Sequence, residues 1–114
     1  MKALKVQVRS KVWLEAKGRP VLGPGRVELL KYIDEQGSIS SASRLMKITY
    51  RKAWGQIKAM ELQLGLPLVR KQTGGAGGGG ARLTPEAHEL LGDYLQLAQG
   101  IGEEVDRRFR KIFL

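Results

Sequence analysis

Residues 37–84 read GSISSASRLMKITYRKAWGQIKAMELQLGLPLVRKQTGGAGGGGARLT, and the order of signals inside them decides the fold. They offer a short helix, a tight corner, a longer amphipathic helix, a strand, a glycine loop and a returning strand. That order is the plan of a winged helix-turn-helix. Ser40 is expected to cap the first short helix, its side-chain oxygen accepting from the free amides of the opening turn, with Ala42, Leu45 and Met46 on one face. Lys47 and Ile48 make the corner, and Thr49 caps the second helix. In that helix, residues 49–64, Tyr50, Ala53, Trp54, Ile57, Met60 and Leu64 recur at three- and four-residue steps and so share a stripe that must be buried. Arg51, Lys52, Gly55, Lys58 and Ala59 are left on the opposite side, a cationic face kept narrow by its two small residues.

A helix presenting such a face suits the major groove of duplex DNA, where arginine or lysine donates to guanine while neighbours grip phosphate. Glycine inside a helix costs roughly 1 kcal/mol against alanine. Gly55 therefore has two readings, close backbone approach to a base edge or a tolerated weak spot on a solvated face. Residues 66–69 form a short apolar run after Gly65, which can end the helix as a left-handed cap. Arg70 and Lys71 follow, and six of the seven residues 74–80 are glycine. With Arg82-Leu83 as the returning strand, residues 70–82 make a wing with a pliable tip and cationic flanks, suited to the DNA backbone or the minor groove. The candidate DNA contacts are thus Ser41, Thr49, Tyr50, Arg51, Lys52, Gly55 and Lys58 on the helix pair, and Arg70, Lys71, Thr73, Gly77 and Arg82 on the wing.

Gly75, Gly77 and Gly80 also satisfy G-x-G-x-x-G, the fingerprint of a nucleotide-binding turn. The match is nearly unavoidable where glycine fills the stretch. No helix signal follows Gly80 directly and no Gly-Lys-Ser/Thr is present to hold phosphate, so a nucleotide fold is set aside.

The 114 residues suffice for one domain with a modest core. The absence of cysteine excludes disulfides and thiolate metal sites. The amino-terminal residues carry charges every few positions and hold no signal-peptide core, and no apolar run could span a bilayer. A cytoplasmic, nucleoid-associated protein without membrane contact is expected. The net charge of +9 is unevenly placed: residues 1–43 carry +4, residues 44–82 carry +7 and residues 83–114 carry −2. A merely solvated basic surface would not concentrate its excess on the proposed reading head, so a polyanion is the favoured partner.

Residues 4–16 alternate with period two, Leu4, Val6, Val8, Ser10, Val12, Leu14 and Ala16 facing one way and Lys5, Gln7, Arg9, Lys11, Trp13 and Glu15 the other. One long half-buried strand is expected, turning at residues 17–20 into a short return at Val21-Leu22, with the hairpin (1–22) covering apolar surface. Trp13, on the polar face, suggests a second contact there. Gly23-Pro24-Gly25 opens a first helix with Val27, Leu29, Leu30 and Ile33 in its apolar sector, against which Leu45, Ile57 and Met60 should pack; Gly37 ends it. This helix, the helix pair and the wing make up residues 24–83.

Residues 84–114 begin with Thr84-Pro85-Glu86, a cap, a proline at the first helical position and an acid near the positive end of the dipole. Leu91, Tyr94, Ala98, Ile101, Val105 and Ile112 then fall mostly at alternating steps of three and four, the seam of a coiled-coil-like contact. A long carboxy-terminal helix that joins two copies is expected, the alternative being a helix that folds back on its own domain. Gly100 and Gly102 weaken it and permit close crossing or a kink. His88 is the only histidine, and with scattered carboxylates and no cysteine it reads as a surface residue; no metal or acid-base constellation, no cofactor and no catalytic residue are expected. The fold class is mainly α with small β.

The residues LLKYIDEQGSISSASRLMKITYRKAWGQIKAM, followed by PLVRKQTGGAGGGGARLT and a long terminal helix, resemble the DNA-binding domain of the molybdate-responsive ModE regulators, itself akin to the winged helix of LysR-type regulators. Tyr50, Ala53-Trp54 and the wing opening Thr73-Gly74-Gly75 carry the specific part. The resemblance implies a homodimer joined through the terminal helix, with Thr49, Tyr50, Arg51 and Lys52 leading the contacts of a sequence-specific transcription regulator. Lys47 stands where the corner often carries glycine, which implies a mildly strained turn. ModE proteins usually continue into molybdate-binding domains, whereas this chain ends at Leu114, so no small-molecule effector site is expected in it. Two other classes fit the same features less fully: a winged-helix module for protein or RNA, and a small molybdate or oxyanion sensor using the dimer interface or the glycine loop.

Overall fold

A computed structural model describes residues 5–72 and 80–114. The elements run β1 (Leu14–Ala16), β2 (Arg19–Leu22), α1 (Pro24–Gln36), α2 (Ile39–Leu45), α3 (Tyr50–Leu64), β3 (Val69–Gln72), β4 (Gly80–Leu83), α4 (Pro85–Ala98) and α5 (Ile101–Phe113). Two antiparallel hairpins flank the helices, β1 with β2 and β3 with β4. This is a winged helix-turn-helix with an amino-terminal hairpin, mainly α.

The helix boundaries follow local chemistry. Gly37 and Gly65 end α1 and α3 in the left-handed region, with φ of 66° and 68°. L side chains are strained in that conformation, although the space around both positions is open. Thr49 caps α3 by accepting from the Lys52 amide at 3.0 Å, as expected. The cap of α2 is displaced from the expected position: Ser38, not Ser40, accepts from the Ser41 amide at 3.1 Å. Ile39, two residues earlier than the anticipated start, is buried and draws the helix back onto the core. The corner residue Lys47 has φ of 58°, so the strain implied by the missing glycine is present.

The core is one cluster in which Leu29, Leu30 and Ile33 of α1 meet Ile57 and Met60 of α3, Leu68, Leu83 and Ala87. Leu45 does not join it; half exposed, it lies at the end of α2 where the chain turns away. Glu61 closes the turn after α3, its carboxylate accepting from the amides of Leu68 at 2.7 Å and Val69 at 3.2 Å. Thr84 is buried and bridges the wing to α4, donating to the Pro67 carbonyl at 2.7 Å and accepting from the Ala87 amide at 3.1 Å.

The arm and the terminal helix also differ from expectation. Of the long strand foreseen over residues 4–16, only Leu14–Ala16 pairs, across the Lys17-Gly18 turn whose residues both have positive φ. The period-two burial continues back to Val12, breaks at exposed Ser10 and leaves Val8 half-buried, and no strand among the described residues pairs with that part of the arm. It rests instead on the terminal helices, the Tyr94 hydroxyl donating to the Val12 carbonyl at 2.8 Å. The terminal helix is also two helices, because Gln99 is extended and Gly100 left-handed with φ of 77°. The foreseen seam divides there. Leu91 and Tyr94 of α4 are buried in the chain's own core, Ala98, Ile101 and Val105 are half-buried, and Ile112 is exposed. No residue of α5 is buried, although Ile101, Val105, Phe109, Ile112 and Phe113 share one flank.

Candidate nucleic-acid interface

The stripe that buries Ala53, Ile57 and Met60 leaves Arg51, Lys52, Gly55 and Lys58 exposed on the far side of α3. Thr49 and Tyr50 are exposed at its start. Gly55 meets no heavy atom within 4 Å of where a Cβ would stand, so this chain's own packing does not require glycine there. Ser41, half-buried on α2, accepts from the Arg44 guanidinium at 3.2 Å. Arg44 is a cation the sequence reading passed over; only its place one turn after Ser40-Ser41 could have pointed to it.

The strands of the wing place Arg70 directly opposite Arg82 in the ladder, both exposed. Like charges in that register are unfavourable without a counter-anion. Lys71 is placed differently: its ammonium lies 4.2 Å from the centroid of the Trp54 ring and 5.5 Å from that of Tyr50. Lys58 approaches the same Trp54 ring at 4.3 Å. The wing base and α3 are thereby joined through aromatic faces and cations. Thr73 and Gly77, the remaining wing candidates, lie outside the described residues.

Glu61 is the sole acid among residues 44–82, and its carboxylate is turned inward. Burial would raise its pKa, but the Leu68 and Val69 amides and the Lys58 ammonium, 3.3 Å away, together hold it below the ordinary value. The outward surface of α3 and of the described wing strands therefore carries cations without intervening carboxylates. On the other flank, the Arg26 guanidinium donates to the Val21 carbonyl at 2.8 Å and the Gln63 side chain at 3.3 Å, while Gln63 donates to the Pro20 carbonyl at 3.0 Å. These bonds fix the amino-terminal hairpin against α3.

The described residues hold no group of three or more side chains suited to a metal ion. His88 is exposed and lies 3.4 Å from the Asp34 carboxylate, linking α4 to α1 at the surface. No helix among the described residues is long and apolar enough to cross a membrane.

Comparison with known proteins agrees with this geometry. Residues 25–88 match the model of the bacterial regulatory helix-turn-helix protein, lysR family. Among curated relatives, the chain is 39% identical over 82 residues to the molybdenum-pterin-binding protein MopB of Rhodobacter capsulatus, covering 72% of this chain and 30% of that one. It is 43% identical over 76 residues to the DNA-binding transcriptional dual regulator ModE of Escherichia coli (strain K12), covering 67% and 29%. The chain thus spans about 30% of the length of these relatives. Among solved structures, the CbnR DNA-binding domain in its DNA complex superposes with a TM-score of 0.59 at 21% identity, over 75% of this chain and 93% of that one. The regulator LysG from Corynebacterium glutamicum gives 0.60 at 20% identity, over 80% and 30%. These likenesses carry the fold, and the ModE resemblance read from the sequence is matched by the curated relatives. The matched segment runs from α1 through the wing into α4 and takes in every element of the reading head, and on that ground the chain belongs to the lysR family of bacterial regulatory helix-turn-helix proteins, a family of regulators and not of enzymes.

Proposed function

We propose that this chain is the reading head of a cytoplasmic transcription regulator that binds duplex DNA sequence-specifically as a homodimer. The observation that carries the reading is the outward face of α3, where Arg51, Lys52 and Lys58 stand exposed around Gly55 with the region's one acid turned away. A helix about 10–12 Å across fits the major groove, which is about 12 Å wide. Arg51 and Lys52, in the first turn, are the base readers. Arg70 and Arg82 meet phosphate, the anion that relieves their opposition in the wing. ModE of Escherichia coli, a DNA-binding regulator, and the CbnR domain, solved on DNA, point the same way.

The dimer is formed through α5, whose apolar flank is only partly covered in the single chain: Ile101, Val105 and Phe109 are half-buried, and Ile112 and Phe113 are exposed. Two heads joined in this way read half-sites about 10 to 10.5 bp apart, or a multiple of that.

The test is a selection from a random duplex pool, followed by titration of the selected duplex, a scrambled duplex and a duplex RNA at one salt concentration. Enrichment of a pseudo-palindromic sequence, bound more tightly than scrambled DNA or RNA, is expected. Arg51→Ala should cost affinity mainly for the selected duplex. Equal affinity for all three nucleic acids, or equal losses on selected and scrambled DNA for Arg51→Ala, would overturn the reading.

A further inference from the structure

We infer that the groove between the amino-terminal arm and α3 is a second backbone-binding surface, which takes the strand of the duplex that the wing does not reach; this rests on the DNA-binding reading above. The groove has a volume of about 590 Å³, with Lys11 and Trp13 of the arm on one wall and Lys52 and Gln56 of α3 on the other. Met46 and Ile48 of the corner lie between them.

The placement follows from helical geometry. Lys52 and Gln56 are four residues apart and so share one flank of α3. Trp54 and Lys58 share the opposite flank, where Lys71 of the wing stands over the indole. The recognition helix is therefore bordered by the wing on one side and by the arm on the other. A helix about as wide as the major groove leaves the two phosphate strands running along its two flanks. The wing meets one of them, and Lys11 with Lys52 is positioned for the other.

The chemistry of the groove matches a sugar-phosphate strand. Three cations, Lys11, Arg26 and Lys52, face one acid, Glu15, whose carboxylate is engaged by the Trp13 indole N–H at 2.9 Å. Arg26 already donates to Val21 and Gln63, so it supplies charge. Lys11 and Lys52 are exposed and donate to no carboxylate, the Lys11 ammonium lying 5.7 Å from the centroid of the Trp13 ring, so both can turn to phosphate oxygens. The indole of Trp13, 48% exposed, with half-buried Met46 and Ile48, offers apolar surface to deoxyribose, which an inorganic anion would not use. A side chain at position 23 would meet the Trp13 Cβ at 3.3 Å, so Gly23 is what lets the tryptophan sit at the groove wall.

The test uses the full chain with Lys11→Ala, Lys11→Arg and a remote control, Lys31→Ala on α1, titrated against the selected and the scrambled duplex over a salt series. Lys11 is exposed, so circular dichroism of the variants should match the parent. Lys11→Ala is expected to weaken both duplexes by the same factor, about three- to tenfold, and to lower the slope of log K against log salt by about one. Lys11→Arg should restore both quantities and Lys31→Ala should change neither. An unchanged salt slope for Lys11→Ala, with tight binding by the parent, overturns the groove and leaves the α3 reading standing. A loss confined to the selected duplex makes Lys11 a base reader and overturns the backbone assignment. Absence of duplex binding by the parent overturns both.

Discussion

The ammonium of Lys71, on the first strand of the wing, lies 4.2 Å from the centroid of the Trp54 ring in α3. The ring is half-buried and also carries Lys58 at 4.3 Å, so the contact ties the wing to the reading helix at a partly desolvated site. A cation over tryptophan contributes about 0.5–1 kcal/mol when exposed and more when water is excluded. Denaturation of Lys71→Met, Trp54→Leu and the double variant should give a coupling energy of about 0.5–1 kcal/mol. Additive effects would show that the two groups are neighbours without energetic connection. Sequence alone made Lys71 a plain phosphate contact; its geometry adds a share in holding the wing.

Glu61 should make stability depend on pH in a defined direction. Its carboxylate accepts from the Leu68 and Val69 amides, and its folded pKa lies below the ordinary 4.5 despite partial burial. A depressed folded value means the contribution is fully present above the unfolded pKa and is lost as pH falls through the folded one. Glu61→Gln, which keeps an acceptor but loses its charge, should therefore unfold more easily at pH 7 by about 1–2 kcal/mol, the difference between hydrogen bonds to a charged and to a neutral group. The gap between variant and parent should narrow below about pH 4. Thermal melts of both proteins from pH 7 to pH 3 check it, and a constant gap would remove the carboxylate from the account.

Two glycines should respond to alanine with opposite signs. Gly55 is helical and open on its outer side, so Gly55→Ala is expected to stabilise the fold by about 0.5–1 kcal/mol. Gly100 has φ of 77°, where a Cβ is strained, so Gly100→Ala should destabilise by about 1–2 kcal/mol. The more stable Gly55 variant should nonetheless lose affinity for the selected duplex if the backbone there approaches a base edge. Unchanged affinity assigns Gly55 to a tolerated weak spot.

The legible parts of the chain were those governed by local chemistry. Thr49, Gly37, Gly65 and Thr84-Pro85 mark their helix ends in the sequence and do so in the structure, because caps depend on a few adjacent residues. The centre of the α3 stripe, Ala53, Ile57 and Met60, and its cationic reverse were likewise readable from spacing. Trp54 and Leu64, by contrast, are only half-buried, and Tyr50, expected in the buried stripe, is exposed at the helix start. What spacing could not supply was tertiary choice. Ser38 and Ser40 are both competent caps, and burial of Ile39 selects the first. Residues 5–13 alternate like a strand, yet pairing needs a partner strand, and none among the described residues pairs with them. The position of Lys71 over Trp54 joins residues 17 apart and leaves no local trace, and the seam through Leu91 and Tyr94 looks continuous until Gly100 turns left-handed.

That break decides where two copies would meet. With Leu91 and Tyr94 spent on the chain's own core, the apolar surface left exposed lies toward the end of α5, where Ile112 and Phe113 are exposed beside half-buried Phe109, whose ring stacks on Phe113 at 4.9 Å. Burying a phenylalanine at an interface contributes about 1.5–3 kcal/mol, and a carboxylate in its place adds a desolvation cost, so Phe109→Asp should weaken dimerisation at least about tenfold to a hundredfold. Leu62→Ala, which trims an 86% exposed side chain on α3, should leave association unchanged. Sedimentation over a concentration series reads both. The monomeric variant should also lose affinity for a duplex carrying two half-sites while binding a single half-site as the parent does, because linking the heads raises their effective concentration without adding a contact. A parent that sediments as a monomer, or a Phe109→Asp variant as dimeric as the parent, would place the partner contact elsewhere than on α5.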